Sequence, residues 1–179
     1  MAPSQQFSRL SISLHWLTLA LLIGVYACIE LRELYPRGSE PRDALKMWHF
    51  MLGLTVFVLV WARLAARILG PKPLIVPPVP KWQVIVATIV EFSLYLLMIV
   101  LPLLGWLTLS AEGDPIPFFG LQLPALVSEN KQLAERAESL HVTLATTGYF
   151  LIGLHAAAAL FHHYVQRDNT LKRMLPSRN

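Results

Sequence analysis

The sequence has little cysteine and little charge. Its 179 residues include one cysteine, Cys28, and only 15% of them are charged. A single cysteine excludes an intrachain disulfide and a cysteine-based metal site, so we expect any metal to be held by histidine. With 55% hydrophobic residues, the chain is too apolar for an ordinary soluble domain of this size. These values predict a protein of the lipid bilayer.

A clustered basic surface is also lacking, although the net charge is +4. The Lys and Arg residues lie at the ends of apolar segments instead of forming one patch interleaved with aromatic side chains. We therefore expect no nucleic-acid partner and attribute the basic residues to membrane topology.

Four apolar segments are long enough to cross a hydrocarbon layer about 30 Å thick. We expect spans at about residues 10–31, 46–69, 82–110 and 131–165. The first lacks a small-x-small cleavage site and ends in charged residues, so it is interpreted as a retained span and not as a signal peptide. The prediction is a single domain that forms an all-α, integral membrane four-helix bundle.

The segments between the spans are expected to be connections. Residues 32–44 contain two prolines, a glycine and mixed charges, which predicts a short exposed connection. Five prolines between residues 71 and 80 exclude a helix and favour an extended link. Residues 111–130 are expected to form a longer loop, and Pro102 is expected to kink the third span.

Four spans place both termini on the same side of the membrane. Nine Lys and Arg residues lie on that side, whereas six lie on the other side together with most of the acidic residues. The positive-inside rule therefore predicts that both termini are cytoplasmic.

The fourth span carries histidines on one face of the expected helix. His141, Gly148, His155 and His162 recur every seven residues, and each is displaced by only about 20° from the one before it. His141 and His155 are about 21 Å apart along the axis, which is too far to ligate one metal ion. The spacing suits two cofactors stacked across the membrane, and Gly148 removes a side chain where a flat macrocycle would approach the backbone.

Histidine depths match in pairs across the spans. The alternating span directions place His49 and His141 near the outer surface, and His15 and His155 near the cytoplasmic surface. Two bis-histidine sites in a four-helix bundle are the arrangement expected for two b-type haems, so these four histidines are the predicted iron ligands. Zinc is a weaker alternative, because two histidines do not complete its usual tetrahedral shell.

Two arginines of the second span lie on nearly the same face as His49. Arg63 and Arg67 follow it by fourteen and eighteen residues, at or below the depth of the inner haem. We expect them to pair with haem propionates, because the guanidinium fork matches a carboxylate. Snorkelling at the helix end is the alternative. Gly53, also in the second span, is assigned with them to the cofactor-binding residues.

Several motifs of the sequence point to one family. They are SRLSISLHWLT, MWH, SLYLLMIVLPLLGW and LHVTLATTGYFLIGLHAAAALFHHY, with DNTL following. Together they resemble bacterial cytochrome b561, a family of dihaem proteins described as superoxide oxidases. The resemblance covers essentially the whole chain, includes all four proposed ligands and is most specific in the fourth span. It implies that the protein oxidises superoxide at the periplasmic side of the inner membrane and passes the electrons to ubiquinone.

One position departs from the family. Glu91 in the third span, four residues before Tyr95, stands where members tend to carry a histidine, which puts any role of that histidine in proton handling in doubt here. We expect Glu91 to be protonated or paired, because a bare carboxylate within a membrane is costly.

The two substrates suggest two further sites. Lys46, one turn before His49, is predicted to attract anionic superoxide to the outer side, although nearby acidic residues oppose it. Quinone is expected at the cytoplasmic end beside His162, because a neutral imidazole can hydrogen-bond a quinone carbonyl and deliver a proton. Ser11 and Ser13 of the first span are candidates for the opposite wall, with helix contact as the alternative role.

Other functions stay open at this point. The same four histidines would suit a haem-b subunit of a larger quinone-linked dehydrogenase or hydrogenase, and a non-redox four-helix membrane protein is the second alternative. The first interpretation requires no protein partner, and a homodimer is compatible with it.

Overall fold

The computed structural model describes residues 6–176 and consists mainly of four long helices. They are α1 (Arg9–Leu31), α2 (Glu40–Leu69), α3 (Lys81–Glu112) and α4 (Lys131–Phe161). Within the described residues, these are the helices long and apolar enough to cross a membrane. A short 3₁₀ turn extends α1, and a single π turn extends α4 to Gln166.

The four helices form a bundle with an apolar exterior. α1 packs against α2, α3 packs against α4, and α2 also contacts α3. Large apolar side chains point outward: Phe150 is 75% exposed and Phe92 is 67% exposed. In water such a surface would be costly, whereas lipid leaves it in an apolar surrounding. The prediction of an all-α membrane four-helix bundle is confirmed.

The second helix begins earlier than the expected span. α2 starts at Glu40, six residues before the predicted span at 46, so part of the connection predicted at 32–44 is helical. Pro41 lies in the first turn, where its missing N–H needs no partner, and Glu40 and Asp43 add negative charge at that end. Both features stabilise a helix start, and they explain why the proline did not prevent one.

The outer loop contains a small hairpin that the sequence did not predict. Strands β1 (Ile116–Phe118) and β2 (Leu121–Leu123) pair antiparallel, with Gly120 at a positive φ of 84° in the turn. Trp106 of α3 donates its indole N–H to the Pro124 carbonyl at 3.0 Å. The hairpin therefore lies against the outer end of α3.

The end of the bundle where α1 begins and α4 ends is closed by three chain segments. The extended link after α2 bonds to the C-terminal segment through Asn169, whose side chain accepts from the Val76 N–H at 2.8 Å. Arg173 donates to the Pro73 carbonyl at 2.7 Å, and burial lowers the pKa of its guanidinium. The indole of Trp16 in α1 donates to the Met174 carbonyl at 2.8 Å. These bonds hold the C-terminal segment against the start of α1.

Candidate functional site

The outer histidine pair connects α2 and α4. The ring centres of His49 and His141 are 6.1 Å apart. His49 Nδ1 lies 3.0 Å from the Val25 carbonyl oxygen, and His141 Nδ1 lies 2.9 Å from the Leu101 carbonyl oxygen. A carbonyl oxygen can only accept, so each Nδ1 carries the proton. The Nε2 atoms are then left with free lone pairs, as metal ligation requires.

The inner histidine pair connects α1 and α4. The ring centres of His15 and His155 are 6.2 Å apart. Arg63 Nη2 of α2 lies 2.7 Å from His15 Nδ1, and the Arg63 guanidinium also lies over the Tyr95 ring, 5.4 Å from its centre. The outer histidines meet backbone carbonyls at Nδ1, whereas Nδ1 of His15 in the inner pair meets a cationic side chain.

Both ring separations fit one metal ion between two imidazoles. A metal–nitrogen bond of about 2.0 Å on each side, plus about 1.1 Å from each nitrogen to its ring centre, gives about 6.2 Å. Among the described residues, no group of three or more His, Cys, Asp or Glu side chains is placed to hold a metal. The donor sets are thus two pairs of imidazoles, which would suit haem iron better than a tetrahedral zinc shell.

Gly53, Gly148 and Arg67, all predicted to lie near the cofactors, have different surroundings. A β-carbon on Gly53 would meet no atom within 4 Å, so there is space beside α2 four residues after His49. A β-carbon on Gly148 would lie 2.5 Å from the Tyr26 hydroxyl oxygen, so a tyrosine contacts the backbone where we expected a macrocycle. Arg67 pairs with Glu91 at 3.4 Å, which confirms the expectation that Glu91 is paired.

A family model described as "Prokaryotic cytochrome b561" matches residues 6–177. The chain belongs to the prokaryotic cytochrome b561 family. It is therefore a multi-pass bacterial membrane protein of an electron-transfer family that carries b-type haem, and the resemblance drawn from its motifs is confirmed.

Three curated relatives align over nearly the whole chain. "Cytochrome b561 homolog 1" of Escherichia coli (strain K12) is 40% identical over 173 residues, which is 97% of this chain and 98% of the relative. "Probable superoxide oxidase CybB" of Yersinia pestis is 41% identical over 174 residues, with the same coverage of 97% and 98%. "Cytochrome b562" of Cereibacter sphaeroides is 30% identical over 183 residues, which is 99% of this chain and 100% of the relative.

The C-terminal end of α4 carries a histidine–aspartate pair. His162 lies in the π turn that follows α4, and such turns are rare and frequent at functional sites. Arg167 then adopts a left-handed conformation with φ 58°, which reverses the chain. As a result Asp168 returns to His162, and its Oδ2 lies 2.5 Å from His162 Nδ1.

Asp168 is a residue that the sequence reasoning missed. Its side chain is buried, with 2% relative exposure, and its second oxygen accepts from the Thr170 N–H at 2.7 Å. Burial by itself would raise the pKa of Asp168, but the hydrogen bonds from His162 and Thr170 hold that pKa below its usual value. Its membership in the DNTL motif was the available signal.

The serines expected near His162 differ in environment. Ser11 is buried and donates to the Ala66 carbonyl at 3.3 Å, so it joins α1 to α2. The Ser13 side chain is exposed on α1, and its assignment to the cofactor-binding residues stays a prediction.

The outer cation has an acidic neighbour. Lys46 Nζ lies 3.8 Å from an Asp114 carboxylate oxygen and 5.5 Å from the centre of the Phe50 ring. The lysine side chain keeps 42% exposure. Asp114 belongs to the loop after α3, so its approach to Lys46 was not evident from the sequence.

Proposed function

We propose that this cytochrome b561 oxidises superoxide to oxygen at the periplasmic side of the inner membrane and reduces ubiquinone. Two superoxide anions each lose one electron, and ubiquinone takes up both electrons and two protons to become ubiquinol. The observation that carries the proposal is that two histidine pairs lie at two levels of one membrane bundle. The two ring centres are 6.1 Å apart in one pair and 6.2 Å apart in the other. The relative from Yersinia pestis named as a probable superoxide oxidase supports the choice of substrate.

The four paired histidines are proposed to hold two b-type haems, one for each pair. Each pair would hold one haem, which would supply one-electron transfer. The Val25 and Leu101 carbonyls orient the outer histidines. Arg63 and Arg67 are proposed to bind propionates at the inner level, where guanidinium groups offset the cost of placing charge in the membrane.

The outer end is proposed to receive superoxide. Lys46 is partly exposed and lies one turn before His49 on α2, so it presents positive charge beside the outer pair. An anion is drawn toward such a charge, and the effect weakens with salt. Both termini are proposed to be cytoplasmic, which places this end in the periplasm.

The cytoplasmic end is proposed to reduce ubiquinone beside His162. Asp168 accepts a hydrogen bond from His162 Nδ1, which fixes the orientation of the ring and leaves Nε2 for the quinone. As a quinone oxygen becomes basic during reduction, a His162 ring protonated on both nitrogens donates Nε2–H to it, and the carboxylate of Asp168 stabilises that imidazolium until the proton moves.

The proposal is tested by stopped-flow absorption of the purified holoprotein mixed with superoxide. We expect rapid reduction of the haem bands, followed by reoxidation when ubiquinone is present. Lack of reduction by superoxide would reject the donor. Co-purification with a partner containing iron–sulfur clusters, which alone reduces the haem bands, would favour a subunit of a larger dehydrogenase.

The variant His162→Ala separates the two ends. Both haems should remain bound and still be reduced by superoxide, whereas reoxidation by ubiquinone should slow by at least about tenfold, since a positioned acid–base group contributes about a hundredfold or more. The change Asp168→Asn keeps the size of the side chain and removes its charge, so it should slow the same phase by a smaller factor. Unchanged reoxidation in His162→Ala would place the quinone elsewhere.

A further inference from the structure

Two consecutive residues of α1 form hydrogen bonds at the outer histidine pair, one to His49 and one to the helix turn after His141. The Val25 carbonyl accepts from His49 Nδ1 at 3.0 Å. The next residue, Tyr26, donates its hydroxyl to the Ala145 carbonyl of α4 at 3.0 Å. Ala145 lies one turn after His141, so a single point on α1 is bonded both to one outer histidine and to the helix turn beside the other.

The Tyr26 side chain is itself held from a second side. Its ring centre lies 4.3 Å from that of Tyr149, and the Tyr149 hydroxyl donates to a Glu30 carboxylate oxygen at 2.7 Å. Glu30 is one turn beyond Tyr26 on α1. Each tyrosine therefore donates a hydrogen bond to the other helix, Tyr26 from α1 to α4 and Tyr149 from α4 to α1. An aromatic pair of this kind adds to the stability of the contact.

Gly148 is the place on α4 where the Tyr26 hydroxyl needs space. A β-carbon there would lie 2.5 Å from the hydroxyl oxygen and 3.8 Å from Cζ of the same ring. This is too close for a carbon–oxygen contact without a shift. Because the Ala145 carbonyl and the Tyr149 ring fix Tyr26, any side chain at residue 148 would push α1 and α4 apart.

We propose that Tyr26 is a positioning residue for the outer histidine pair. Its fit against Gly148 and its bond to Ala145 set the distance between α1 and α4, and the adjacent Val25 carbonyl transmits that setting to His49. Gly148 lies seven residues from both His141 and His155, so the selectivity for the outer pair rests on two contacts. The Ala145 carbonyl is four residues from His141 and ten from His155, about 6 and 15 Å along α4, and the Val25 carbonyl bonds to His49. The inference rests on the proposed function, which assigns His49 and His141 to a haem of their own.

The test is a redox titration of the holoprotein carrying Gly148→Ala. Loss of a group that orients a metal-binding histidine changes metal affinity or activity by about tenfold or more. A tenfold change in the ratio of the oxidised and reduced forms corresponds to about 59 mV for one electron. We expect a shift of about that size in the outer haem and none in the inner haem. The haem that remains in His49→Ala protein identifies the inner signal.

Two further variants make the test specific. In Tyr26→Phe the hydroxyl is gone, so the double variant Gly148→Ala with Tyr26→Phe should regain the potential of Tyr26→Phe alone. The matched control is Gly153→Ala on the same helix, because a β-carbon there would meet no atom within 4 Å. It should leave both potentials unchanged.

The results separate this proposal from the proposed function. A protein with one haem would overturn the dihaem assignment. The contact would then be tested by thermal unfolding of the wild-type protein, Gly148→Ala, Tyr26→Phe and the double variant, where coupling between the two substitutions is expected. With two haems bound, equal shifts in both signals, or failure of Tyr26→Phe to rescue, would overturn the role of Tyr26. If the Gly148→Ala protein cannot be purified in folded form, successful purification of the double variant supports the proposal, and failure to purify it overturns the proposal.

Discussion

The outer and inner histidine pairs have nearly the same ring separation but different supports. In the outer pair both Nδ1 atoms face backbone carbonyls of neighbouring helices, those of Val25 and Leu101. In the inner pair His15 faces the flexible side chain of Arg63 at 2.7 Å. Backbone carbonyls move only with their helices, whereas an arginine can change rotamer. We infer that helix packing fixes the outer pair and that side-chain chemistry tunes the inner one.

The largest effect should come from removing one histidine of either pair. We expect His49→Ala and His141→Ala to lose the outer haem and keep the inner one, and His15→Ala and His155→Ala to do the reverse. The haem-to-protein ratio, measured by absorption of the pyridine complex, should fall from about two to about one. Retention of both haems in all four variants would disprove the ligand assignment.

Arg63→Ala should affect the inner pair alone. It removes a partly buried positive charge beside His15 and, on our proposal, a propionate partner. We expect about tenfold weaker retention of the inner haem and an unchanged outer haem, measured as haem loss during dilution into haem-binding acceptor protein. Arg67→Ala is the comparison variant and should have a smaller effect, because Arg67 is engaged with Glu91. Equal haem loss from both pairs would contradict the inference that the two pairs are held by different groups.

Lys46→Gln should slow haem reduction by superoxide by about two- to fivefold at low ionic strength, since a single partly exposed cation gives modest steering. The difference should disappear at high salt, where charges are screened beyond a few ångströms. Asp114→Asn is the matched control, because it removes the acidic neighbour of Lys46 and should speed the same phase. A Lys46 effect that is independent of salt would argue for a structural role.

Glu91→Gln should have the smallest effect. Glutamine keeps the size of the side chain and can still accept a hydrogen bond from Arg67, whose Nη2 lies 3.4 Å from the Glu91 carboxylate. We expect a small decrease in the free energy of unfolding, seen as a slightly lower melting temperature, and unchanged haem content. A large loss of quinone reduction would instead show that this carboxylate handles protons.

Much of the candidate site followed from spacing alone. The seven-residue repeat of His141, His155 and His162 places them on one helical face whatever surrounds the helix, and span direction then matches His49 and His15 to the correct depths. Asp114 and Asp168 could not be assigned in the same way. Each reaches its partner through a loop conformation, such as the left-handed Arg167, that hydropathy and periodicity do not describe.

The sequence by itself determined the membrane bundle, the family and which histidines share a depth, because these follow from apolar length, helical repeat and local motifs. Only the tertiary structure decided what holds those histidines and why Gly148 is a glycine. Tyr26 meets Ala145 across 119 residues of chain, and the Val25 carbonyl meets His49 across 24. Contacts of this kind depend on how far two helices stand apart and how each is rotated, which are properties of the packed bundle and not of any one segment.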